Sequence, residues 1–249
     1  MDFSSDKLEI KDKIDSSSFH NEIQMAFKSS PLEYSNPKEI INKLNEYKNK
    51  AFELFKIGKF YESACIYKGL LEKCIENLSY IDDKSGLIGD FLFQSISYYS
   101  QSISELNIDE NYFFEDSVNL YLKEDYGFSI ELSRLILTKI NLENYSILEK
   151  IIKSKILTSN SKYLKEKLIN LALTLYELIN DDKKYLDICN TLPINNWERY
   201  VYVANKYVEM GLMEKAVETY KEGINNVEYD KEILEEKYTF LQKKIIGLD

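Results

Sequence analysis

Trp197–Ile224 reads WERYVYVANKYVEMGLMEKAVETYKEGI, and its spacing decides the fold. Tyr200, Ala204, Tyr207, Gly211, Met213, Ala216, Tyr220 and Gly223 follow one another at steps of 4, 3, 4, 2, 3, 4 and 3. Steps of 3 and 4 keep residues on one helix face, so the stretch predicts two short helices with a turn at the step of 2. Gly211 stands in that turn, where a positive φ is often needed. Ala204 and Ala216 are small enough for two helix axes to approach closely. Tyr200, Tyr207 and Tyr220 fill the space above and below them. Asn195, with Glu198 three residues later, predicts an N-cap and N3 pair, and Pro193 closes off the preceding segment.

The same steps recur. Tyr47, Ala51, Leu54, Gly58, Phe60, Ser63, Tyr67 and Leu70 repeat them, as do Phe113, Ser117, Leu120, Glu124, Tyr126, Ser129, Ser133 and Ile136. In the latter copy Glu124 replaces the glycine and Ser133 the aromatic residue. Tyr200-x2-Val203-Ala204-x2-Tyr207 followed by Ala216-x3-Tyr220 resembles the tetratricopeptide repeat, with its alternation of aromatic, aliphatic and small residues. The resemblance covers 44–71 and 197–224 well and 110–137 loosely. Ile75 and Glu228 stand where that family usually closes a repeat with proline. The copies begin at 47, 113 and 200, intervals of 66 and 87 residues, and 87 is no multiple of the family's period of about 34. The array is therefore expected to be irregular. The resemblance implies an irregular superhelix of antiparallel helix pairs whose concave side binds peptides or proteins. It places ligands along the inner face of each repeat's first helix. By helical position that face comprises Asn45, Lys48, Phe52 and Phe55 in one copy, and Glu198, Val201, Asn205 and Glu209 in the last.

Composition agrees with an all-α class. There are 8 Gly and 3 Pro in 249 residues, and Lys, Ile, Asn, Glu and Leu dominate while Val is sparse, which favours helix over sheet. The 42 acidic and 32 basic residues leave a net charge of −10. Apart from Arg134 and Arg199 every basic residue is lysine, so the basic face and arginine forks of a nucleic-acid binder are missing. An acidic surface favours a partner with a basic or neutral segment. Cys65, Cys74 and Cys189 form no even framework. Cys65 and Cys74 sit about 13 Å apart along one predicted helix, too far to bridge. These features point to a reducing compartment. No apolar run approaches the roughly 18–20 residues of a membrane span, and the N-terminus has neither the basic start nor the apolar core of a signal peptide. A cytoplasmic location is expected.

Along the chain, residues 1–36 read as a flexible arm. It carries one short amphipathic stripe, Phe19, Ile23, Ala26 and Phe27, that could dock on the body or hold a partner. Residues 37–249 read as one helical-repeat domain. Asn36-Pro37-Lys38-Glu39 predicts a capped helix start. Helices are expected at about 37–57, 60–79, 87–106, 109–123, 127–139, 142–157, 161–180, 183–191, 197–227 (as the pair) and 231–246. Asp82-Asp83-Lys84-Ser85-Gly86 fails calcium-loop spacing and reads as a turn, with Ser85 capping the next helix. Asn141 opens 142–157, and Asp230 caps a final helix. There Ile233, Leu234, Tyr238, Leu241 and Ile245 face inward and charged residues cover the outside, as a C-terminal capping helix requires.

Chemistry-bearing patterns are scarce. His20 is the single histidine and falls in the N-terminal arm, which argues against Ser-His-Asp and Cys-His catalysis and against a zinc site. Phosphate-binding glycine loops are absent. No cofactor and no metal are expected, and the carboxylate pairs Asp82-Asp83 and Asp181-Asp182 read as turns. The 20 tyrosines have mostly helical spacing and read as core, with some available to line a groove. The functional expectation is a non-enzymatic protein- or peptide-binding scaffold. The alternative is a regulatory sensor that encloses a small ligand or short peptide in a tyrosine-lined pocket.

Overall fold

The computed structural model describes residues 12–28, 37–81 and 83–247. Among them are twelve α-helices: α1 (Ser17–Lys28), α2 (Pro37–Lys56), α3 (Phe60–Asn77), α4 (Leu87–Ser104), α5 (Glu110–Lys123), α6 (Ser129–Leu137), α7 (Tyr145–Thr158), α8 (Lys162–Leu178), α9 (Asp182–Cys189), α10 (Trp197–Glu209), α11 (Met213–Asn226) and α12 (Lys231–Ile245). Helix accounts for 77% of the described residues, close to the about 75% that the periodicity predicts. No strand element occurs among the described residues. No helix among them is long and apolar enough to cross a membrane.

The chain forms two compact units, Met1–Ile151 and Ile152–Asp249, with the border inside α7. In the first, α2 and α3 pack together and both rest on α4. The short α1 lies on α3 and α2, α5 pairs with α6, and α6 returns to α4. The stripe of the N-terminal arm is docked: Ile23, Ala26 and Phe27 are buried and Phe19 is half-buried, with Ile14 buried just ahead of the helix. The approach is close at Gly69 of α3, where an added Cβ would lie 3.1 Å from Ile23 Cδ1. In the second unit, α8 packs on α9, α9 on α10, and α10, α11 and α12 on one another. Tyr200, Val201, Ala204, Ala216, Tyr220, Val227, Leu234 and Leu241 form its α10–α12 core.

The turns follow the glycines. Gly58 and Gly211 have φ of 77° and 75°, the left-handed conformation that side chains resist. The third copy solves the same turn without a glycine at that place. Glu124 is fully buried, and its carboxylate accepts from Tyr126 N, Phe128 N (3.0 Å) and Ser129 Oγ (2.9 Å). A side-chain carboxylate thus collects the N–H groups at the start of α6.

Several helix starts differ from expectation. Asn196, not Asn195, caps α10, its Oδ1 accepting from Glu198 N at 2.8 Å. Asp83, not Ser85, serves α4: its Oδ2 accepts from Ile88 N at 2.9 Å and Gly89 N at 3.1 Å, and Ser85 Oγ merely donates to the other oxygen. An ionised carboxylate has two oxygens to accept with where a hydroxyl has one, so Asp83 takes both N–H groups and the Ser85 hydroxyl as well. Asn141 accepts from Glu143 N and Asn144 N in a turn, so α7 begins only at Tyr145. Asp230 holds the N-cap position of α12 in a left-handed conformation but makes no side-chain cap bond. The proposed cap at Asn36 and the residue Asp82 lie outside the described residues. Leu234 and Leu241 are buried as expected, whereas Ile245, at the last residue of α12, is 50% exposed.

Candidate functional site

The eight residues assigned to a partner face have different surroundings in the two units. On α2, Lys48 donates to Gln94 Oε1 at 2.9 Å and lies over the Phe91 ring. Phe52 meets the Tyr98 ring at 5.1 Å between centroids. Phe55 sits between Phe60 (5.3 Å) and Tyr98 (6.4 Å), and Tyr98 stacks on Tyr67 at 5.8 Å. This face of α2 is the seam against α4, and Asn45 is half-buried beside it. Burial also lowers the Lys48 ammonium pKa.

On α10, Val201 belongs to the core and Glu198 is half-buried. Glu209 is engaged with Lys206 at 2.6 Å, and the same ammonium reaches Asp182 at 3.5 Å and the Tyr185 ring at 4.6 Å. Burial alone would lower the Lys206 pKa, but the hydrogen bond to Glu209 and the charges of Glu209 and Asp182 outweigh it and raise it. Asn205 remains exposed. Its Oδ1 accepts from Tyr220 OH at 2.9 Å, and burial raises the pKa of that phenol, so it stays a donor. The Asn205 amide N–H groups make no hydrogen bond among the described residues.

Asn205 lines an open groove of about 300 Å³ between α10 and α12, whose other walls include Val208, Lys237, Phe240 and Lys244. Phe240 is 61% exposed. With Glu236 also in its lining, the groove offers a fixed amide donor, an exposed ring, a carboxylate and two ammonium groups. Such a set can hold a backbone carbonyl while an apolar side chain lies on the ring. The N-terminal end of α10 is well anchored. Tyr200 OH donates to Ile194 O at 2.8 Å and accepts from Asn226 Nδ2 at 3.0 Å, while Arg199 reaches Leu192 O at 2.9 Å and Asn190 Oδ1 at 3.1 Å. Most tyrosines near the core are spent on packing: Tyr67, Tyr99, Tyr121, Tyr176, Tyr185, Tyr200 and Tyr220 are buried.

A second polar cluster joins residues far apart in sequence. Lys68 of α3 is buried, and its ammonium donates to Tyr112 OH at 2.8 Å, Asp116 Oδ1 at 3.0 Å and Ile14 O at 3.1 Å. Burial alone would lower its pKa; Asp116, Tyr112 and Glu72 together raise it, so the group stays charged. Beside it, Glu72 Oε2 accepts from Ser16 Oγ at 2.6 Å and meets His20 Nε2 at 2.7 Å, and Ser16 lies 3.0 Å from that same nitrogen. The sequence places His20 in the N-terminal arm, and no signal within the sequence links residue 20 to residue 72. The serine, histidine and acid do meet, but Ser16 is buried, and both partners address one imidazole nitrogen. A proton relay uses the two nitrogens separately. The cluster pins the N-terminal segment to α3.

All three cysteines are buried and unbridged. Burial raises their thiol pKa values, that of Cys189 to about 12. Among the described residues no group of three or more His, Cys, Asp or Glu side chains is placed to hold a metal ion. Comparison of the chain with protein-family models, with curated proteins and with solved structures found no match.

Proposed function

We propose that this chain is a non-enzymatic scaffold that binds a protein or peptide segment. In this reading it is an irregular superhelix of antiparallel, tetratricopeptide-like helix pairs, working in the cytoplasm. The single observation that carries the binding role is the groove between α10 and α12, where Asn205 presents unpaired amide donors beside the exposed Phe240 ring. A segment with a free backbone carbonyl and an apolar side chain fits those groups. The net charge of −10 favours approach of a basic or neutral segment at long range, and Lys237 and Lys244 beside the single carboxylate Glu236 make a neutral stretch the better fit in the groove itself.

The test is capture of partners from the source cell with the wild-type chain and with an Asn205→Ala/Phe240→Ala variant, followed by affinity measurement on the captured partner. Both residues are exposed, so the variant keeps its circular dichroism spectrum. Loss of an aromatic anchor costs about 2 kcal/mol or more at a binding hot spot. The expected result is therefore a roughly thirtyfold or greater weakening, with further weakening of the wild type at high salt as the Debye length of about 8–10 Å shortens. A variant that binds normally while folded overturns the assignment of this groove.

A further inference from the structure

The position-by-position match between the two good helix pairs exposes a difference on the outer face of their second helices. Val217, Glu218 and Lys221 of α11 occupy the positions of Ala64, Cys65 and Lys68 of α3. In α3 these three are buried, and α5 and the segment before α1 supply what Lys68 binds: the Ile14 carbonyl, the Tyr112 hydroxyl and the Asp116 carboxylate. In α11 the same face is open. Glu218 and Lys221 are exposed and Val217 is half-buried. Together with Ile245 and Ile246 of α12 they line a groove of about 430 Å³, whose rim also carries Glu214. Ile245 and Ile246 are 50% and 65% exposed. Glu214 and Glu218 stand one turn apart and make no ion pair among the described residues.

We infer that this groove seats an amphipathic helix from a partner protein, as α1, the segment before it and α5 together cover the outer face of α3 within the chain. The chemistry of the seat defines the occupant. Its apolar stripe lies on Val217, Ile245 and Ile246. Basic side chains at one end meet Glu214 and Glu218, and a carboxylate at the other meets Lys221, as Asp116 meets Lys68. The charge order along α11, acid then base, sets the direction in which the helix lies. The α1 helix of a second copy does not meet these terms. Its close approach to α3 is at Gly69, where even an added Cβ would lie 3.1 Å from Ile23 Cδ1, and the matching position on α11 carries the much larger Glu222. The groove lies on a different flank of α12 from the one lined by Asn205 and Phe240, so the two sites are independent.

The test uses two labelled helical peptides with the same leucine stripe. One carries lysines at its first turns and a glutamate at the other end; its twin has these charges reversed. Fluorescence anisotropy is read with the full chain. The lysine peptide is expected to bind at least tenfold more tightly than its twin, and Glu218→Lys to reverse that preference. Ile246→Asp, at an exposed position that leaves the fold intact, is expected to weaken binding at least tenfold. Asn205→Ala/Phe240→Ala is expected to leave it unchanged, which separates this site from the other groove. Equal binding of the two peptides, or binding indifferent to Glu218→Lys and Ile246→Asp, overturns the inference. So does concentration-dependent dimerisation in sedimentation that Ile246→Asp abolishes, since a second copy would then be the occupant.

Discussion

The helix pairs α2–α3 and α10–α11 share one spacing of large and small residues, yet one is closed on its flanks and the other is open. The difference lies at the positions between the repeated ones. Phe52 in the first pair corresponds to Asn205 in the second. Phe52 presents a ring that Tyr98 of α4 covers, and the Tyr67 hydroxyl turns to the Lys48 carbonyl at 3.5 Å. Asn205 instead takes the hydroxyl of the matching tyrosine, Tyr220, and a groove remains between α10 and α12. The shared spacing builds a pair of helices; whether the pair buries its flanks or offers them is decided by single residues outside the pattern.

The comparison breaks first at the position where the two copies differ most in size. Leu70 is fully buried in the first pair, and Gly223 holds the same place in the second. Leu70→Ala leaves a cavity and is expected to cost about 2–5 kcal/mol. Gly223→Ala fails for the opposite reason. The new Cβ would lie 2.6 Å from Tyr200 Cγ and 2.9 Å from Leu234 Cδ1, an overpacking expected to cost about 1–3 kcal/mol. Urea unfolding of both variants checks this; a neutral Gly223→Ala would mean that Tyr200 has somewhere to go.

A smaller effect separates the matched lysines. Lys68→Ala strips Asp116 and the Ile14 carbonyl of a buried donor and is expected to cost about 1–3 kcal/mol. Lys221→Ala, at an exposed position, is expected to fall within about 0.5 kcal/mol of wild type. Equal losses would show that the two outer faces are alike after all. The smallest effect is chemical rather than energetic. With their pKa values raised by burial, the thiols of Cys65, Cys74 and Cys189 carry little thiolate at pH 7. Alkylation is expected to be roughly a hundredfold or more slower in the native chain than in urea. Fast labelling of one cysteine without denaturant would locate a unit that opens on its own.

The helices were legible in the sequence because apolar residues recur at 3 and 4 over long stretches, and the turns because Gly58 and Gly211 had only one conformation to offer. The capping residues were less legible. Asn195 and Asn196 are the same side chain one place apart, and only the backbone decides which of them turns extended. Asp83 reaches five residues forward, beyond the usual capping distance. The candidate site was readable in half. Helical position put Asn205 and Phe52 on the inner face of α10 and α2, but whether a neighbour covers that face depends on contacts across the fold. The cluster of Ser16, His20, Glu72 and Lys68 was invisible for the same reason: its members come from segments more than 40 residues apart.

That cluster bears on how the chain is made. The Ile14 carbonyl accepts from Tyr112 across 98 positions. The early segment therefore leaves the site of synthesis long before its seat exists. At about 5–20 residues per second, the delay is roughly 5–20 s. Ile23 finds its seat on α3 once Gly69 has followed, so only the tie of Ile14 to α5 waits through the whole interval. The segment docks in two steps, first on α3 and later on α5.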